Sequence, residues 1–270
     1  MADPGRQQRK AQAFAALHEG EPFVIPNPWD AGSARVLAAL GFRALATTSS
    51  GFAFTLGRPD GSVTLLEVVE HVAELDHATE LPLSIDLENG YGSAPEAAAL
   101  AVRQAAEAGA VGGSIEDYDP EGRLLYERGH AVERVAAAVE AARSLPFRFM
   151  LTARAENHLR GVSDLSDTIA RLQAFEEVGA DVLYAPGLAE PDQIRAVCES
   201  VSSPVNVLAR PSLSLAQIVE AGAQRVSVGG SLTWVAVRAL VDAATAIRDS
   251  GDLSVLGGKP PDAEWLAPRP

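Results

Sequence analysis

The chain is poor in cysteine and in basic residues, and it has no long apolar run. Its one cysteine, Cys198, excludes a disulfide framework and a cysteine-rich zinc site. Asp and Glu outnumber Lys and Arg by 36 to 22, and the net charge of −14 argues against a nucleic-acid-binding surface. No run of about 18 apolar residues is present, so no membrane-spanning helix is predicted. The polar N-terminus lacks the apolar core of a signal peptide, and we expect a cytoplasmic protein.

The remaining composition is that of a globular protein. Of the 270 residues, 47% are hydrophobic and 21% are charged, which is enough apolar material for a sizeable core. No stretch is biased enough to act as a linker between domains. We therefore predict one domain over residues 1–256, followed by a tail over 257–270 that is rich in Gly and Pro, in which Trp265 could dock on the same chain or on a neighbouring subunit.

Short strand-like segments alternate with longer helical ones along the whole chain. The predicted strands are Phe23–Pro26, Ala44–Thr48, Leu83–Glu88, Gly113–Glu116, Arg148–Arg154, Asp181–Ala185, Val205–Leu208 and Arg225–Val228. Predicted helices between them include Ala94–Ala108, Ala131–Ser144, Asp164–Val178, Pro191–Ser200, Leu215–Glu220 and Trp234–Ser250. Eight such units in about 250 residues are typical of a (β/α)8 barrel. An open doubly wound sheet is the alternative, but the chain lacks its glycine-rich phosphate-binding motif.

The segment from Leu83 to Gly92 carries the strongest chemical signal. Its alternation of apolar and polar residues predicts a strand with Ser84, Asp86 and Glu88 on one face. Carboxylates two positions apart on a strand lie about 6–7 Å from each other and repel, unless a cation or a proton lies between them. An Asn-Gly-Tyr-Gly loop follows. The pattern indicates a metal site or a reacting group.

Further polar residues end the neighbouring strands, where barrel enzymes place their active groups. Glu116 ends the fourth predicted strand and could converge with Asp86 and Glu88 on a hard divalent cation such as Mg²⁺. The alternative is that Glu116 and Asp117 cap a helix or pair with arginines.

Three other features are candidates for substrate contacts. Arg154 ends the fifth strand and could bind a carboxylate or phosphonate, or could form a salt bridge with Glu116 or Glu156. Ser49, Ser50 and Gly51 could form an anion-binding nest, although Ser-Gly turns are common. His158 is a candidate acid–base group, or simply a solvated loop residue. Asn206 ends the seventh strand and is a candidate for substrate binding.

Several segments together resemble the isocitrate lyase/phosphoenolpyruvate mutase superfamily, in order from about Phe23 to Ser231. The segments that carry the resemblance are Ser50-Gly51-Phe52, Pro59-Asp60-Gly61, Asp86–Gly92, Ser114–Asp117 and Ala153-Arg154. The resemblance implies a (β/α)8 barrel whose last helix is exchanged between subunits of a dimer, within a homotetramer. It also implies a small 2-oxo acid as the partner, with no nucleic acid and no membrane.

The resemblance further implies a metal and its ligands. Mg²⁺, with Mn²⁺ as the alternative, would bind to Asp86, and Glu88, Glu116 and Asp60 would help directly or through water. The substrate carboxylate would meet the backbone at Ser50, Gly51 and Phe52, with Ser49 beside them, and Arg154 would help to hold it. The shared chemistry makes or breaks a C–C or P–C bond next to an enolate.

The chain departs from this superfamily at positions that define individual reactions. Lyases carry a Lys-Lys-Cys-Gly-His loop after the fourth strand, where this chain has the segment 118–126 without cysteine or histidine. The mutase Asn-Ser gating loop is also missing, Glu88 replaces an aspartate, and Ala185-Pro186-Gly187 replaces Pro-Glu-Ala.

These departures leave several functions open. We expect a Mg²⁺-dependent lyase that cleaves a C–C bond of a small 2-oxo or 2-hydroxy carboxylate through an enolate, as a decarboxylase or a retro-aldol or retro-Claisen enzyme. A bound water, His158 or Tyr91 would protonate the enolate. The alternatives are P–C chemistry, as a phosphonomutase or phosphonopyruvate hydrolase, and a catalytically silent protein that binds an oxo acid.

Overall fold

The computed structural model describes residues 3–257, so the predicted tail lies outside the described residues except for Gly257. Its centre is a sheet of eight parallel strands that curls into a barrel. These strands are β1 (Phe23–Ile25), β2 (Leu45–Ala46), β3 (Leu83–Asp86), β4 (Gly112–Glu116), β7 (Met150–Arg154), β8 (Val182–Tyr184), β9 (Val205–Leu208) and β10 (Arg225–Ser227). A small antiparallel hairpin, β5 (Tyr118–Asp119) with β6 (Leu124–Leu125), projects after β4.

The strand order around the barrel is β1-β10-β9-β8-β7-β4-β3-β2. Between the two end strands, the amide of Ala46 donates a hydrogen bond of 3.1 Å to the carbonyl of Pro26. This contact brings the edges together and nearly closes the barrel. The (β/α)8 prediction is therefore confirmed.

Helices cover the outside of the barrel because each strand is followed by a helical segment. The helices are α1 (Pro4–Glu19), α2 (Ala31–Ala39), α3 (Ser49–Thr55), α4 (Leu65–Ala78), α5 (Pro95–Glu107), α6 (Arg128–Arg143), α7 (Leu165–Glu177), α8 (Pro191–Glu199), α9 (Leu215–Glu220) and α10 (Ser231–Ser250). Among residues 3–257, none of them is both long and apolar enough to cross a membrane.

Helix α1 closes the amino end of the barrel. Its residues Ala11 and Phe14 pack against Phe23, Met150 and Val182, which line the barrel near that end. The buried Lys10 ammonium binds the Asp76 carboxylate of α4 at 2.7 Å and fixes the helix in place. The barrel is thus plugged at one end and open at the other, where the strands end.

Beyond its first turn, where Leu232 packs on the core and Trp234 contacts Phe54, helix α10 stands apart from the barrel. Its main contacts are with the short 3-10 helix Ser254–Leu256, and Thr233 is the one buried residue in its 20-residue span. The apolar side chains of Trp234, Val235 and Leu240 are between 49% and 66% exposed. A helix with this much exposed apolar surface normally has a partner.

The structure shortens several predicted strands, and one of these differences affects the site. β3 ends at Asp86, because Glu88 has a φ of 46°, which lies in the left-handed region and leaves the extended chain. Glu88 therefore does not share a strand face with Ser84 and Asp86, as its period-two position suggested. The β5–β6 hairpin was not predicted, since strands of two residues carry too little pattern.

Candidate active site

Two cavities meet at the carboxyl end of the barrel. The inner cavity, of about 180 Å³, extends into the barrel and is lined by Asp86, Arg154, Asn206 and Arg225 among other residues. The outer cavity, of about 380 Å³, is lined by Asp60, Glu88 and Glu116 among others. Ser49, Arg154 and Leu159 line both cavities. They form the boundary that a ligand would cross.

Arg154 is the charged centre of this boundary. Its guanidinium binds Asp86 at 2.8 Å, Glu116 at 2.9 Å and Glu156 at 2.8 Å. Burial alone would lower the pKa of Arg154, but the three carboxylates raise it well above its usual value. The salt bridges considered from sequence are therefore present, and the cation is fully compensated by the protein.

Arg160 completes the ion-pair network from the outer side. It binds Glu116 at 3.1 Å and Glu156 at 3.1 Å, and its guanidinium stacks 3.7 Å from the ring centre of Tyr118. Burial raises the pKa of Glu116 well above its usual value, and the neighbouring charge of Glu156 adds to this shift. Two arginines and three carboxylates thus share one small volume.

Glu88 lies on the wall of the outer cavity, as does the exposed Asp60. The Oε1 atom of Glu88 is buried and lacks a hydrogen-bond partner among residues 3–257. Burial, and then the charges of Asp86 and Asp60, raise the pKa of Glu88 to about 8. A buried carboxyl group without a partner fits a site for a cation or a proton.

The loop that carries Glu88 is held by one buried arginine of α6. Arg134 is 1% exposed, and its guanidinium donates to the carbonyls of Asn89, Gly92 (2.7 Å), Ser93 and Ala94. It also stacks on Tyr126, with 4.5 Å between the guanidinium carbon and the ring centre. This arginine clamp fixes a loop in which both Glu88 and Tyr91 have positive φ angles.

The structure separates the two side chains that were candidates for enolate protonation. Tyr91 has a buried hydroxyl without a partner among the described residues, and burial followed by the charge of Glu88 raises its pKa well above the usual value. His158 packs against Gly187, its buried Nε2 also lacks a partner among the described residues, and burial lowers its pKa. Neither of the two side chains lines the inner or the outer cavity. Of the two, Tyr91 is the one that lies among the carboxylates.

The predicted anion nest forms the first turn of α3. Ser49 and Ser50 line the inner cavity. The amide of Gly51 donates to the Thr48 hydroxyl at 3.3 Å, and the amide of Phe52 donates to the Thr48 carbonyl at 3.0 Å. Phe52 stacks on His71 instead of lining the cavity. The two serines therefore reach the site, whereas the amides of Gly51 and Phe52 are used within the helix.

Two residues of the inner cavity had no role in the sequence-based prediction. Tyr184 lies under Arg154, with 5.4 Å between the guanidinium carbon and the ring centre, and burial raises its pKa to about 12. The Nε of Arg225 donates a hydrogen bond of 2.8 Å to the side-chain oxygen of Asn206, and this contact orients the predicted residue Asn206. The signal in the sequence was the alternation Arg225-Val226-Ser227, which places two polar residues inside the barrel.

The candidate metal ligands do not form a compact cluster among the described residues. Within residues 3–257, no three His, Cys, Asp or Glu side chains stand in a metal-binding group. Asp86 lines the inner cavity, whereas Asp60, Glu88 and Glu116 line the outer one. Mg²⁺ is commonly held by one or two carboxylates and several waters, so this donor set fits Mg²⁺ better than a metal that needs four side chains.

Comparisons with known proteins agree with this geometry. The family model described as phosphoenolpyruvate phosphomutase matches residues 14–248. A solved Burkholderia cenocepacia protein, suggested to be a lyase or mutase, is 50% identical and has a TM-score of 0.93, covering 97% of this chain and 96% of its own. An oxaloacetate decarboxylase of Paraburkholderia xenovorans is 34% identical over 94% of this chain and 86% of its own. A phosphonopyruvate hydrolase solved with oxalate and Mg²⁺ has the same fold (TM-score 0.84, 24% identity, 95% and 93% covered).

Proposed function

The chain belongs to the phosphoenolpyruvate phosphomutase family, and we propose that it is a Mg²⁺-dependent lyase that cleaves a C–C bond of a small 2-oxo or 2-hydroxy carboxylate through an enolate. The observation that carries this proposal is the group of Asp86, Glu116 and Arg154 at the boundary of the two cavities. It puts carboxylates for a cation next to an arginine for an anion. The decarboxylase relative acts on a substrate of this class.

The carboxylates that would hold the metal are Asp86 on the inner side and Glu88, Glu116 and Asp60 on the outer side, the last three directly or through water. The partnerless Oε1 of Glu88 supports this assignment. A bound Mg²⁺ there, with Mn²⁺ as an alternative, would stabilise the negative charge that develops on the enolate oxygen.

Arg154 would hold the substrate carboxylate. One of its terminal nitrogens, Nη1, is occupied by Asp86 in this structure. Release of Asp86 would leave this N–H group free for a carboxylate, while Glu116 and Glu156 keep the guanidinium in place. Substrate and metal binding are therefore expected to be coupled through Asp86.

The group that protonates the enolate stays a proposal. Tyr91 is favoured over His158 because its hydroxyl lies near the charges of Glu88, Asp86 and Glu116, whereas the charge that acts on His158 is that of Asp164. A bound water is the remaining alternative. A Tyr91→Phe variant that keeps substrate binding but slows turnover would support the tyrosine, and an unaffected rate would exclude it.

Helix α10 supports an oligomer. We propose that its apolar face, including Trp234, Val235 and Leu240, packs on a second copy, as in the helix exchange implied by the family resemblance, within a dimer or tetramer. Light scattering on the full chain tests this: Leu240→Asp should shift the mass toward the monomer, and Arg103→Asp on the exposed side of α5 should not. The cytoplasmic location also stays a prediction, for cell fractionation to test.

The experiment that tests the function is a panel assay with oxaloacetate, methylisocitrate, dimethylmalate and phosphonopyruvate, with and without Mg²⁺. We expect Mg²⁺-dependent C–C cleavage of at least one carboxylate. Turnover of phosphonopyruvate alone would favour P–C chemistry. Tight Mg²⁺-dependent binding of oxo acids without turnover would favour a silent binding protein.

The metal assignment has its own variant. Asp86→Ala should weaken Mg²⁺-dependent binding of pyruvate at least ~100-fold, since it removes the proposed anchor. Asp192→Ala is the control, because the Asp192 side chain is 93% exposed on α8. Unchanged affinity in the Asp86 variant would remove the basis for the site.

A further inference from the structure

Arg225 forms the floor of the inner cavity. It begins β10, next to Asn206 of β9 and Phe23 of β1 in the strand register. The residue is 5% exposed, and it lines the cavity together with Ser227 and Tyr184. A guanidinium is thus buried inside the barrel, at the end of the cavity opposite Arg154.

The partners of Arg225 are all neutral. Nε donates to Asn206 at 2.8 Å, Nη2 donates to the Thr152 hydroxyl at 2.9 Å, and Nη1 lies 3.3 Å from His18 Nε2. A guanidinium has five N–H groups, so these contacts do not use all of them. Within residues 3–257, no salt bridge to a carboxylate is found for Arg225, whereas Arg154 has three.

His18 cannot act as the counter-ion. Its Nδ1 lies 2.8 Å from the Phe14 carbonyl and is therefore assigned the proton, which leaves Nε2 as the acceptor for Arg225. Burial, and then the charge of Arg225, lower the pKa of His18 to about 3. Burial lowers the pKa of Arg225 only to about 10, so the arginine is charged at neutral pH. Among the described residues, no negative charge therefore compensates the positive charge of Arg225.

The cavity above Arg225 has both polar and apolar walls and has room for a small ligand. Barrel interiors are usually filled by Val, Ile and Leu, but here Ser84, Ser114, Ser227 and Asn27 line the space. Thr152, which accepts a hydrogen bond from Arg225, and Arg154 at the mouth are two residues apart on β7, so their Cα atoms lie about 7 Å apart. That depth suits an acid of four or five carbons.

We infer that Arg225 is a specificity-determining residue that binds a second carboxylate of the ligand, so that the pocket takes a dicarboxylate with one end at Arg154 and the other at Arg225. The inference rests on the proposed function only for the carboxylate that binds to Arg154. At the floor, it rests on a buried guanidinium that faces a cavity with hydroxyl and amide groups on its wall and that has no protein counter-ion among the described residues.

The test compares ligands that differ in one charge. Binding to the full chain with Mg²⁺ is measured by calorimetry for malate and for malamate, in which the carboxylate remote from the hydroxyl is an amide. We expect malate to bind at least tenfold tighter. Arg225→Met should weaken the binding of malate at least tenfold and change the affinity for malamate by less than twofold. Arg225→Lys should retain part of the preference for malate. Arg103→Met, on the exposed side of α5, is the control.

Equal affinities for malate and malamate in the wild type would overturn the inference, as would an equal loss of both in Arg225→Met. Circular dichroism checks that each variant is folded, and Arg225→Lys keeps the test open if the methionine variant is not.

A second arm separates this inference from the proposed function. Without Mg²⁺, succinate should raise the melting temperature more than succinamate does, and this difference should vanish in Arg225→Met. Loss of Mg²⁺-dependent pyruvate binding with this difference intact would contradict the proposed function alone. No stabilisation by any dicarboxylate, or equal stabilisation by acetate, would contradict the Arg225 subsite.

Discussion

Arg154 and Arg225 lie at opposite ends of the inner cavity and differ in what surrounds them. Arg154 is bound by three carboxylates, whereas Arg225 is held by Asn206, Thr152 and His18, all of them neutral. Burial opposes both charges. The comparison teaches that the mouth is electrostatically complete without a ligand, whereas the floor is not. A third buried arginine, Arg134, is intermediate, because its partners are backbone carbonyls.

The largest expected loss of stability comes from replacing Arg154 at the mouth of the inner cavity. Arg154→Met leaves Asp86 without its cation and leaves Glu116 and Glu156 with Arg160 alone, and truncation of a buried ion pair costs about 3–5 kcal/mol. We expect the melting temperature to fall by on the order of 10 °C. Denaturant unfolding of the unliganded protein measures the free energy, with Arg103→Met as the control. A loss below that of the control would show that the carboxylates do not depend on Arg154.

The second-largest loss of stability is expected when the arginine clamp, Arg134, is replaced. Arg134→Met leaves the carbonyls of Asn89 and Gly92 without their charged donor, and each such hydrogen bond contributes about 1.5–3 kcal/mol. We expect a loss of about 2–3 kcal/mol. Hydrogen exchange should rise in the segment 88–94 more than in β7. Faster exchange that is uniform over the chain would contradict a local role.

The neighbour of Arg225 should make stability depend on pH. Because the pKa of His18 is about 3 in the folded protein, only the unfolded chain takes up a proton when the pH falls below about 6.5. Stability is therefore expected to fall by about 1–2 kcal/mol between pH 7 and pH 5 from this residue. His18→Gln should remove this contribution to the pH dependence of stability. Urea unfolding at pH 7 and at pH 5 measures it.

His71 is the matched control for this prediction, because burial lowers its pKa to about 4 at a place remote from the floor. His71→Phe should remove a similar share of the slope and keep the stacking with Phe52. If His18→Gln leaves the slope unchanged while His71→Phe reduces it, the floor histidine is not neutral in the folded state.

The smallest effect is expected at the floor itself. Arg225→Met removes a buried charge that has no carboxylate partner among the described residues, which favours folding. It also leaves Asn206 Oδ1 and His18 Nε2 without their donor, which opposes folding, so the two effects largely offset each other. We expect the free energy of unfolding without ligand to change by less than ~1 kcal/mol. A loss of stability as large as that of Arg154→Met would show that the two arginines are structurally equivalent, and would contradict the difference between the mouth and the floor.

Much of the fold could be predicted from the sequence because the strands are apolar segments separated by helical ones. The strand Val205–Leu208 and the helix Leu215–Glu220 have the predicted bounds. The early helices α1 and α3 were not predicted, although α1 closes the barrel. The missing signal for α3 is physical: its first residues, Ser-Ser-Gly, are typical of a turn, and the helix depends on the Thr48 cap.

The site was predicted in part. Asp86, Arg154, Ser49 and Asn206 line the inner cavity, because residues at strand ends meet at one edge of a barrel. The orientation of Glu88 was not foreseen, since a positive φ at a glutamate follows from the loop and its clamp, not from local propensity. Arg225 had no assigned role, because the inward side of a three-residue strand depends on its register with distant strands.

The arginine clamp also has a consequence for the order in which the molecule assembles. The loop 89–94 follows β3, but the guanidinium that orders it comes from α6, some 40 residues later in the chain. The loop cannot reach its final conformation before α6 docks beside α5. We therefore expect the carboxylate face at Glu88 to mature late during refolding, after the β3–β4 pair has formed. The edge of the barrel that carries the proposed site would then be a late product of folding, completed by a helix that lies outside that site.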